Sequence, residues 1–366
     1  MKIAISKKSL LEALIDVEKC VSKTEILPIT AGVLIKTEKG HVSIASTDTE
    51  KGMKVKAECI VEKDGTAVIP FKKLIGIAKE VSSDKDIIIS VADKRATVTS
   101  GHSKFNISLI EGDDFPMIVW EGGDEIVMRE SDIKKISQYI SVTTSNNAAG
   151  GFFGGINMLA SGGKVRCYST DKIRLSEFKC DYKGEGFESA DNIIIPPDTL
   201  ASISGIIGDG DGEVRVSTNG SLISFKTKDK AVYSRLLEGQ YPEMSKRIPN
   251  NKHVISFSRN DLISVTRQVL PFITQDVYYV KMNVKKDKAQ FIVKGESGDA
   301  EITIGITQVG GEEFTTIFNY DFLTSFIRVA RGEIITMAVS DSKSGVVMKS
   351  NDEKEYLSVI VPLFEK

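Results

Sequence analysis

Ala31-Gly-Val-Leu-Ile-Lys-Thr-Glu-Lys-Gly-His-Val-Ser-Ile-Ala-Ser-Thr-Asp48 and Gly154-Gly-Ile-Asn-Met-Leu-Ala-Ser-Gly-Gly-Lys-Val-Arg-Cys-Tyr-Ser-Thr-Asp171 are two versions of one stretch. Each holds an apolar strand, a small polar turn carrying glycine, a second strand and a Ser-Thr-Asp triplet, and the triplets stand 123 residues apart. Tyr279-Val-Lys-Met-Asn-Val-Lys-Lys-Asp-Lys-Ala-Gln-Phe-Ile-Val-Lys294 continues the series in phase, more weakly. A period of that length suits a whole domain and not one turn of a solenoid, so the repeated unit is a fold.

Two further landmarks keep the same phase. An apolar strand runs into a helix at Ala67-Val-Ile-Pro-Phe-Lys-Lys-Leu-Ile-Gly-Ile-Ala-Lys79, at Ile193-Ile-Ile-Pro-Pro-Asp-Thr-Leu-Ala-Ser-Ile-Ser204 and at Thr316-Ile-Phe-Asn-Tyr-Asp-Phe-Leu-Thr-Ser-Phe-Ile327. Proline at a first helical position costs no hydrogen bond, because that N–H has no partner inside the helix. A hairpin then ends in Leu109-Ile-Glu-Gly-Asp-Asp-Phe-Pro116 and again in Leu236-Leu-Glu-Gly-Gln-Tyr-Pro242; the third hairpin runs from Glu333 to Val361. Each unit therefore reads as helix, strand pair, strand into helix, hairpin. In the first helix Leu10, Leu11, Leu14, Ile15 and Val17 form the apolar stripe. Strands such as Asp86–Ala92 and Arg95–Ser100 are rich in β-branched residues and bounded by polar turns. Two helices laid on antiparallel sheet, three times over, is an α+β architecture.

With 366 residues the chain suits three domains, and 41% hydrophobic with 27% charged residues is a globular composition. No apolar run approaches the roughly 20 residues that span a bilayer. The start, Met1-Lys-Ile-Ala-Ile-Ser-Lys-Lys8, reads as a strand entering a helix and not as a signal peptide, so a cytoplasmic location is expected. Cys20, Cys59, Cys167 and Cys180 fall at no metal-ligand spacing, and His41, His102 and His253 lie far apart, which favours incidental thiols over a metal or disulfide framework. The chain carries a net charge of −2. The six helical segments (7–19, 71–83, 129–143, 196–207, 258–272 and 319–331) are nevertheless net basic together, so a basic lining under an acidic exterior is compatible with the total.

Catalytic signatures are missing. No GxxxxGK[ST] loop, GxGxxG, HExxH or GxSxG occurs. Gly150-Gly-Phe-Phe-Gly-Gly155 leads into a strand without a helix N-terminus to hold phosphate, and reads as a loop. The Ser-Thr-Asp triplets at Ser46 and Ser169 recur at equivalent places, which argues for a structural turn. Asp113-Asp114 reads as solvated charge.

The order and spacing of Leu27-Pro28-Ile29, Ser46-Thr-Asp48, Phe115-Pro116, Ser169-Thr-Asp-Lys-Ile-Arg-Leu175, Ile195-Pro196, Glu238-Gly-Gln-Tyr-Pro242, Ile248-Pro249, Phe318-Asn319 and Val361-Pro362 make the whole chain resemble the bacterial DNA sliding clamps, the beta subunits of DNA polymerase III. The resemblance implies three clamp domains, placed here at 1–122, 123–250 and 251–366. It also implies a head-to-tail homodimer closed into a six-domain ring around duplex DNA, with helices lining the hole. It implies no catalysis, cofactor or metal, and no membrane. Finally it implies a cleft where the replicative DNA polymerase, the clamp loader and repair factors dock short linear motifs. Carried over by position, that cleft contains Thr170, Lys172, Ile173, Arg174, Leu175, Pro242, Lys246, Asn319, Phe322, Val359, Ile360, Val361, Pro362 and Leu363. Ile173, Leu175, Pro242, Val359 and Val361 would be its apolar walls, and Arg174 and Asn319 would bond peptide. Taken singly, any of these apolar residues reads first as domain core.

Candidate DNA-facing cations are Lys7, Lys8, Lys72, Lys73, Lys79, Lys134, Lys135, Arg259, Arg267, Arg328 and Arg331, with Lys23 as an addition. A ring that slides needs long-range attraction to phosphate and no grip on bases. The chain departs from the family pattern at Gly154, at the rim charges Arg247 and Lys343, and in the ending Val361-Pro-Leu-Phe-Glu-Lys366. Two other readings stay open on the residues alone: an enzyme with its active site between repeated domains, and a scaffold that handles no nucleic acid.

Overall fold

The computed structural model describes residues 1–24, 27–82, 86–111, 114–118, 125–145, 148–184, 193–296, 298–309, 313–340 and 344–364. The expected helix end at Ser83, Asp113, the boundary at 122/123 and the positions Lys343, Glu365 and Lys366 lie outside the described residues.

One order of elements recurs three times. A strand (Lys2–Ile5) enters α1 (Lys7–Val17), further strands follow, Thr66–Pro70 enters α2 (Phe71–Glu80), and Ile87–Ala92, Arg95–Ser100 and Ser103–Ser108 close the first pass. Glu125–Arg129, α3 (Glu130–Lys135), Ile193–Ile195, α4 (Pro197–Ser204) and the strands ending in Lys230–Arg235 make the second. His253–Ser258, α5 (Arg259–Val269), Phe314–Asn319, α6 (Tyr320–Val329) and the strands ending in Tyr356–Ile360 make the third.

Local chemistry explains these starts and stops. Ser6 Oγ accepts from Ser9 N (3.1 Å) at the head of α1, Ser258 Oγ from Asp261 N (3.3 Å) at α5, and Asn319 Oδ1 from Asp321 N (2.9 Å) and Phe322 N (3.2 Å) at α6. Each bond satisfies an N–H that has no partner within its helix. Pro197 is the first residue of α4, as proline prefers, whereas Pro70 sits one position earlier, as the cap of α2. The α1 stripe is Leu10, Ala13, Leu14 and Val17; Ile15 lies outside it, 45% exposed, because at 100° per residue it falls beyond the buried arc. The long third helix expected at 129–143 is shorter as α-helix: after Lys135 it widens into a π turn (Ile136–Ile140) and tightens again at Ser141–Thr143.

The glycine inside the quoted stretch repeats for a packing reason. A Cβ on Gly32 would stand 2.6 Å from Val68 Cγ1 and 2.9 Å from Ile110 Cδ1; on Gly155 it would stand 2.5 Å from Ile194 Cγ2 and 2.8 Å from Leu237 Cδ1. Both strands are approached by the strand that enters the next helix and by the first residues of the Leu-x-Glu-Gly segment.

The chain packs as two compact units. One holds Met1–Ile133 and Asp198–Leu236. Its eight-stranded sheet joins four strands of the second repeat to four of the first, through Lys230–Arg235 against Lys51–Glu58, with Ala231 opposite Lys54 and Ser234 opposite Lys51. A separate five-stranded sheet of the first repeat ends at Ser103–Ser108. The core of this unit includes Leu10, Leu14, Ile35, Ile44, Met53, Leu74, Val216 and Phe225, all buried.

The other unit holds Lys134–Tyr182 and Leu237–Lys366. Its nine-stranded sheet joins four strands of the second repeat to five of the third, through Arg174–Asp181 against Tyr356–Ile360, with Arg174 opposite Ile360. A four-stranded sheet of the third repeat ends at Gly298–Gly305. Under the nine-stranded sheet Tyr139 stacks on Tyr356 (4.7 Å between ring centres), which stacks on Phe326 (5.4 Å). The Tyr139 hydroxyl donates to Glu353 Oε1, while Glu353 Oε2 accepts from Arg331 N at 2.8 Å.

All four cysteines are thiols, with Cys20, Cys167 and Cys180 buried and Cys59 half-buried. Among the described residues no helix is long and apolar enough to cross a membrane, and no three His, Cys, Asp or Glu side chains converge as metal ligands.

Candidate functional site

The Ser-Thr-Asp triplets build two copies of one turn. Thr170 Oγ1 donates to the Arg174 carbonyl and accepts from Lys172 N at 3.0 Å; Asp171 Oδ1 accepts from Ile173 N (3.0 Å) and Arg174 N (2.6 Å). In the first repeat Thr47 Oγ1 donates to the Lys51 carbonyl (2.9 Å) and accepts from Thr49 N (3.0 Å), and Asp48 Oδ1 accepts from Glu50 N (3.1 Å) and Lys51 N (2.8 Å). Lys172 and Thr49 both adopt positive φ, 78° and 79°. Each serine ties its turn to the end of its repeat's first helical segment: Ser46 Oγ donates to the Val17 carbonyl, Ser169 Oγ to that of Ile140. The triplet is thus a structural device, and the residues hung on it decide what each copy does.

On the second-repeat turn hangs an apolar cavity of about 340 Å³ lined by Phe153, Thr170, Lys172, Ile173, Arg174, Leu175, Pro242, Met244, Arg247, Val359 and Val361. Its floor is also core: Leu175, Met244 and Val359 are more than nine-tenths buried in one cluster with Tyr168, Ile194, Tyr241, Val347 and Leu357. Its upper edge is accessible, with Ile173 47% and Val361 38% exposed. Tyr241 pins the turn by accepting from Thr170 N at 3.0 Å, and burial pushes its phenol well above the ordinary value. The C-terminal segment forms the far wall, Val361 N donating to the Ile173 carbonyl (3.1 Å) and Leu363 N to that of Ile317 (2.8 Å).

Of the residues expected here, Thr170, Lys172, Ile173, Arg174, Leu175, Pro242, Val359 and Val361 line the cavity together. Ile360 and Pro362 are buried beside it, and Leu363 is half-buried. Lys246 is turned to solvent, paired with Glu243 at 2.7 Å. Asn319 caps α6 with its carbonyl oxygen. Arg174 lines the cavity as scaffold: its guanidinium stacks on Phe322 (4.2 Å to the ring centre), bonds Asp171 Oδ2 through Nε and Nη2 (2.8 Å each) and donates to Ser325 Oγ (3.2 Å).

The sequence reading of the cleft missed Phe153 and Met244 as lining, while Arg247, expected at the rim, does line the cavity. Phe152 and Phe153 lie in the glycine-rich segment taken for a plain loop, where two adjacent aromatics were the available signal. Their rings pack 4.4 Å apart, and Phe153 stands edge-on to Tyr241 at 5.7 Å. Gly239 makes room for them: at its φ of 142° a Cβ would lie 2.7 Å from Phe152 Cδ1. Gly154 does not line the cavity, and a Cβ there would meet only the Ser145 carbonyl at 3.7 Å.

The first-repeat turn borders a different cavity, about 640 Å³, lined by Lys19, Val21, Ser22, Lys23, Thr24, Asp48, Glu50, Lys51, Asp198, Ala201 and Ser202. Gly52 replaces Leu175 there, and Met117 lies over it, 3.2 Å from where a Cβ would be. The mixed charge of Lys19, Lys23, Lys51, Asp48, Glu50 and Asp198 makes it a poor peptide site.

The candidate DNA-facing cations separate into two groups. Lys8, Lys23, Lys72, Lys73, Lys79, Arg267, Arg328 and Arg331 are exposed, and Lys134 and Lys135 are half-buried. Lys7 and Arg259 have their head groups engaged at helix ends. Lys7 Nζ donates to the carbonyls of Lys79 (2.8 Å) and Val81 (2.6 Å), closing α2; Arg259 donates to those of Ala330 (2.7 Å) and Ile327 (3.4 Å), closing α6.

The profile of the DNA polymerase III beta subunit N-terminal domain matches residues 1–119, and that of the central domain residues 128–243, together well over half of the chain. The beta sliding clamp of Staphylococcus epidermidis is 22% identical, with 99% of each chain covered. The DNA polymerase sliding clamp of Bacillus subtilis superposes with a TM-score of 0.93 at 21% identity, and a Pseudomonas aeruginosa sliding clamp bound to griselimycin with 0.93 at 22%, each over 100% of both chains.

Proposed function

This chain belongs to the family of DNA polymerase III beta subunits and is a DNA sliding clamp, and we propose that it acts as a non-catalytic, cytoplasmic processivity factor: two copies close head to tail around duplex DNA and tether the replicative polymerase, the clamp loader and repair factors through the cleft at the second-repeat turn.

The unfinished sheets carry the ring. Both junctions between repeats within the chain pair the last strand of one repeat with the strand that follows the turn in the repeat before it: Lys230–Arg235 with Lys51–Glu58, and Tyr356–Ile360 with Arg174–Asp181. Two half-sheets are left with their counterpart strands at an edge, the five-stranded one at Ser103–Ser108 and the four-stranded one at Gly298–Gly305. An open edge is a template for another chain. Joining these edges between two copies makes a third continuous sheet of the same kind. Such a contact is heterologous, and it closes when the rotation closes.

Register follows from the repeat. Matching Leu109-Ile-Glu-Gly to Leu236-Leu-Glu-Gly, and the hairpin turns Glu38 to His41 and Lys285 to Lys288 to one another, places Lys104 where Ala231 stands and Glu301 where Lys54 stands. Since Ala231 pairs with Lys54, Lys104 of one copy faces Glu301 of the other.

The element order supports domains at 1–122, 123–250 and 251–366. DNA is held topologically, with weak attraction from Lys8, Lys23, Lys72, Lys73, Lys79, Lys134, Lys135, Arg267, Arg328 and Arg331. Retention on closed circular DNA with loss from linear duplex is the expected result; equal retention on both, or electron micrographs without a central hole, refutes the ring. For the cleft, Leu175→Ala with Pro242→Ala is expected to abolish binding of a labelled polymerase-derived peptide while dimerisation is kept.

A further inference from the structure

We propose that Lys19 is a further DNA-contacting residue, supplying to α4 of the second repeat the cation that α2 and α6 carry themselves; the inference rests on the helices of the ring facing the duplex.

The repeat defines the position. Pro70 caps α2, Pro196 precedes the first residue of α4, and Asn319 caps α6. Nine residues after each stand Lys79, Gly205 and Arg328. Lys79 and Arg328 are exposed cations in the last turns of their helices, whereas α4 has no basic residue and a single charge, Asp198, in its first turn. A duplex drawn along these helices by its phosphates would meet on α4 itself a carboxylate and no cation.

The first repeat fills that place. A Cβ on Gly205 would stand 2.7 Å from Lys19 Cε and 3.5 Å from Lys19 Cδ, so the bare glycine backbone seats the stem of the lysine. Lys19 lies just past α1, in the helical turn Glu18–Cys20, and its side chain is 29% exposed, as suits a packed stem with its head in water. Its charge is not used up within the fold. Asp16, the carboxylate it pairs with, stands 3.8 Å away and is held more closely by Lys230, at 2.7 Å. Lys230 also donates to the Ile206 carbonyl (3.0 Å), so the C-terminal end of α4 has its cation without Lys19. In the adjoining cavity Lys51 is tied to Asp48 at 2.8 Å, while Glu50 and Asp198 are carboxylates that Lys19 offsets towards an approaching phosphate.

The test titrates the full-length protein into a fluorescein-labelled linear duplex at several salt concentrations and reads, by anisotropy, the slope of log affinity against log salt. Lys19→Gln keeps most of the stem and is expected to lower that slope by about 1, the loss of one phosphate contact, as Lys79→Gln and Arg328→Gln do. Lys19→Arg is expected to keep the parent slope. Gly205→Lys added to Lys19→Gln is expected to restore it, and Gly205→Gln added to Lys19→Gln is not. A parent slope in Lys19→Gln beside reduced slopes in Lys79→Gln and Arg328→Gln overturns the role of Lys19 while leaving the attraction to DNA intact. Equal recovery with Gly205→Gln overturns it too, by assigning Lys19 to packing alone. No change in any of the three single variants overturns the shared position, and no binding by the parent protein overturns the DNA reading and this inference with it.

Discussion

Lys104→Glu reverses one side of the contact by which two copies are proposed to meet. Lys104 and Glu301 are both exposed within a chain, so the substitution leaves each subunit's core untouched. Opposite charges directly across an antiparallel pair contribute roughly 0.2–1 kcal/mol, and like charges cost a similar amount. Reversal therefore costs about 0.4–2 kcal/mol at each contact. A closed ring has two such contacts, so the dimer loses about 1–4 kcal/mol, and with about 1.4 kcal/mol per decade its dissociation constant rises at least several-fold and up to several hundred-fold. Sedimentation velocity over a dilution series at low salt reads this directly, and the difference should shrink as salt is added. Glu301→Lys should behave like Lys104→Glu, and the two together should restore most of the parent affinity. Lys94→Glu, whose partner Glu111 lies off the edge strand, serves as the control and should leave the dimer unchanged. If the double reversal dimerises no better than either single one, the register drawn from the repeat is wrong.

Two other substitutions bear on the folded chain. Gly239→Ala should lower stability by about 1–3 kcal/mol, since it forces a side chain into a φ of 142° against Phe152; a urea titration should show it, together with weaker peptide binding as Phe153 shifts. Alkaline pH should destabilise the chain. Burial raises Cys20 from 9.0 to about 12, and burial with the Glu177 bond raises Tyr168 from 10.0 to about 12, so the folded state keeps protons that the unfolded state releases. Their contribution is intact below pH 9 and is lost as pH rises from 9 towards 12, and Cys20→Ser should flatten the fall in urea midpoint at the start of that range.

The helices and the Ser-Thr-Asp turns are legible in the sequence because their causes are local. A 3.6-residue apolar period, a Ser or Asn cap and an aspartate that bonds amides two and three residues onward are all written within a few positions. The resemblance brought eight of the cavity residues together because they cluster in two short segments, 170–175 and 359–361, with Pro242. What the local pattern hides is long-range. Nothing near Lys7 or Arg259 announces that carbonyls more than 65 residues away will take their head groups. Nor does the run around Arg174 show that a phenyl ring and a hydroxyl of α6 complete its bonding. The packing into two units that each take part of the second repeat likewise arises from sheets continued between repeats, and pairing partners 170 to 190 residues apart leave no local trace.

The engagement of Lys7 and Arg259 at helix ends bears on how the clamp would sense a polyanion. An ammonium resting against the carbonyls at a helix terminus already offsets the partial negative charge that accumulates there. The carbonyls offset about half of the cation's charge locally, and the head group, already bonded, cannot extend to a phosphate without giving those bonds up. Such a cation attracts the duplex at long range but makes no close phosphate contact, and close contacts release the ions that give phosphate binding its steep dependence on salt. Counting basic side chains on the helices thus overstates the grip on DNA, and the shortfall favours rapid diffusion along the duplex.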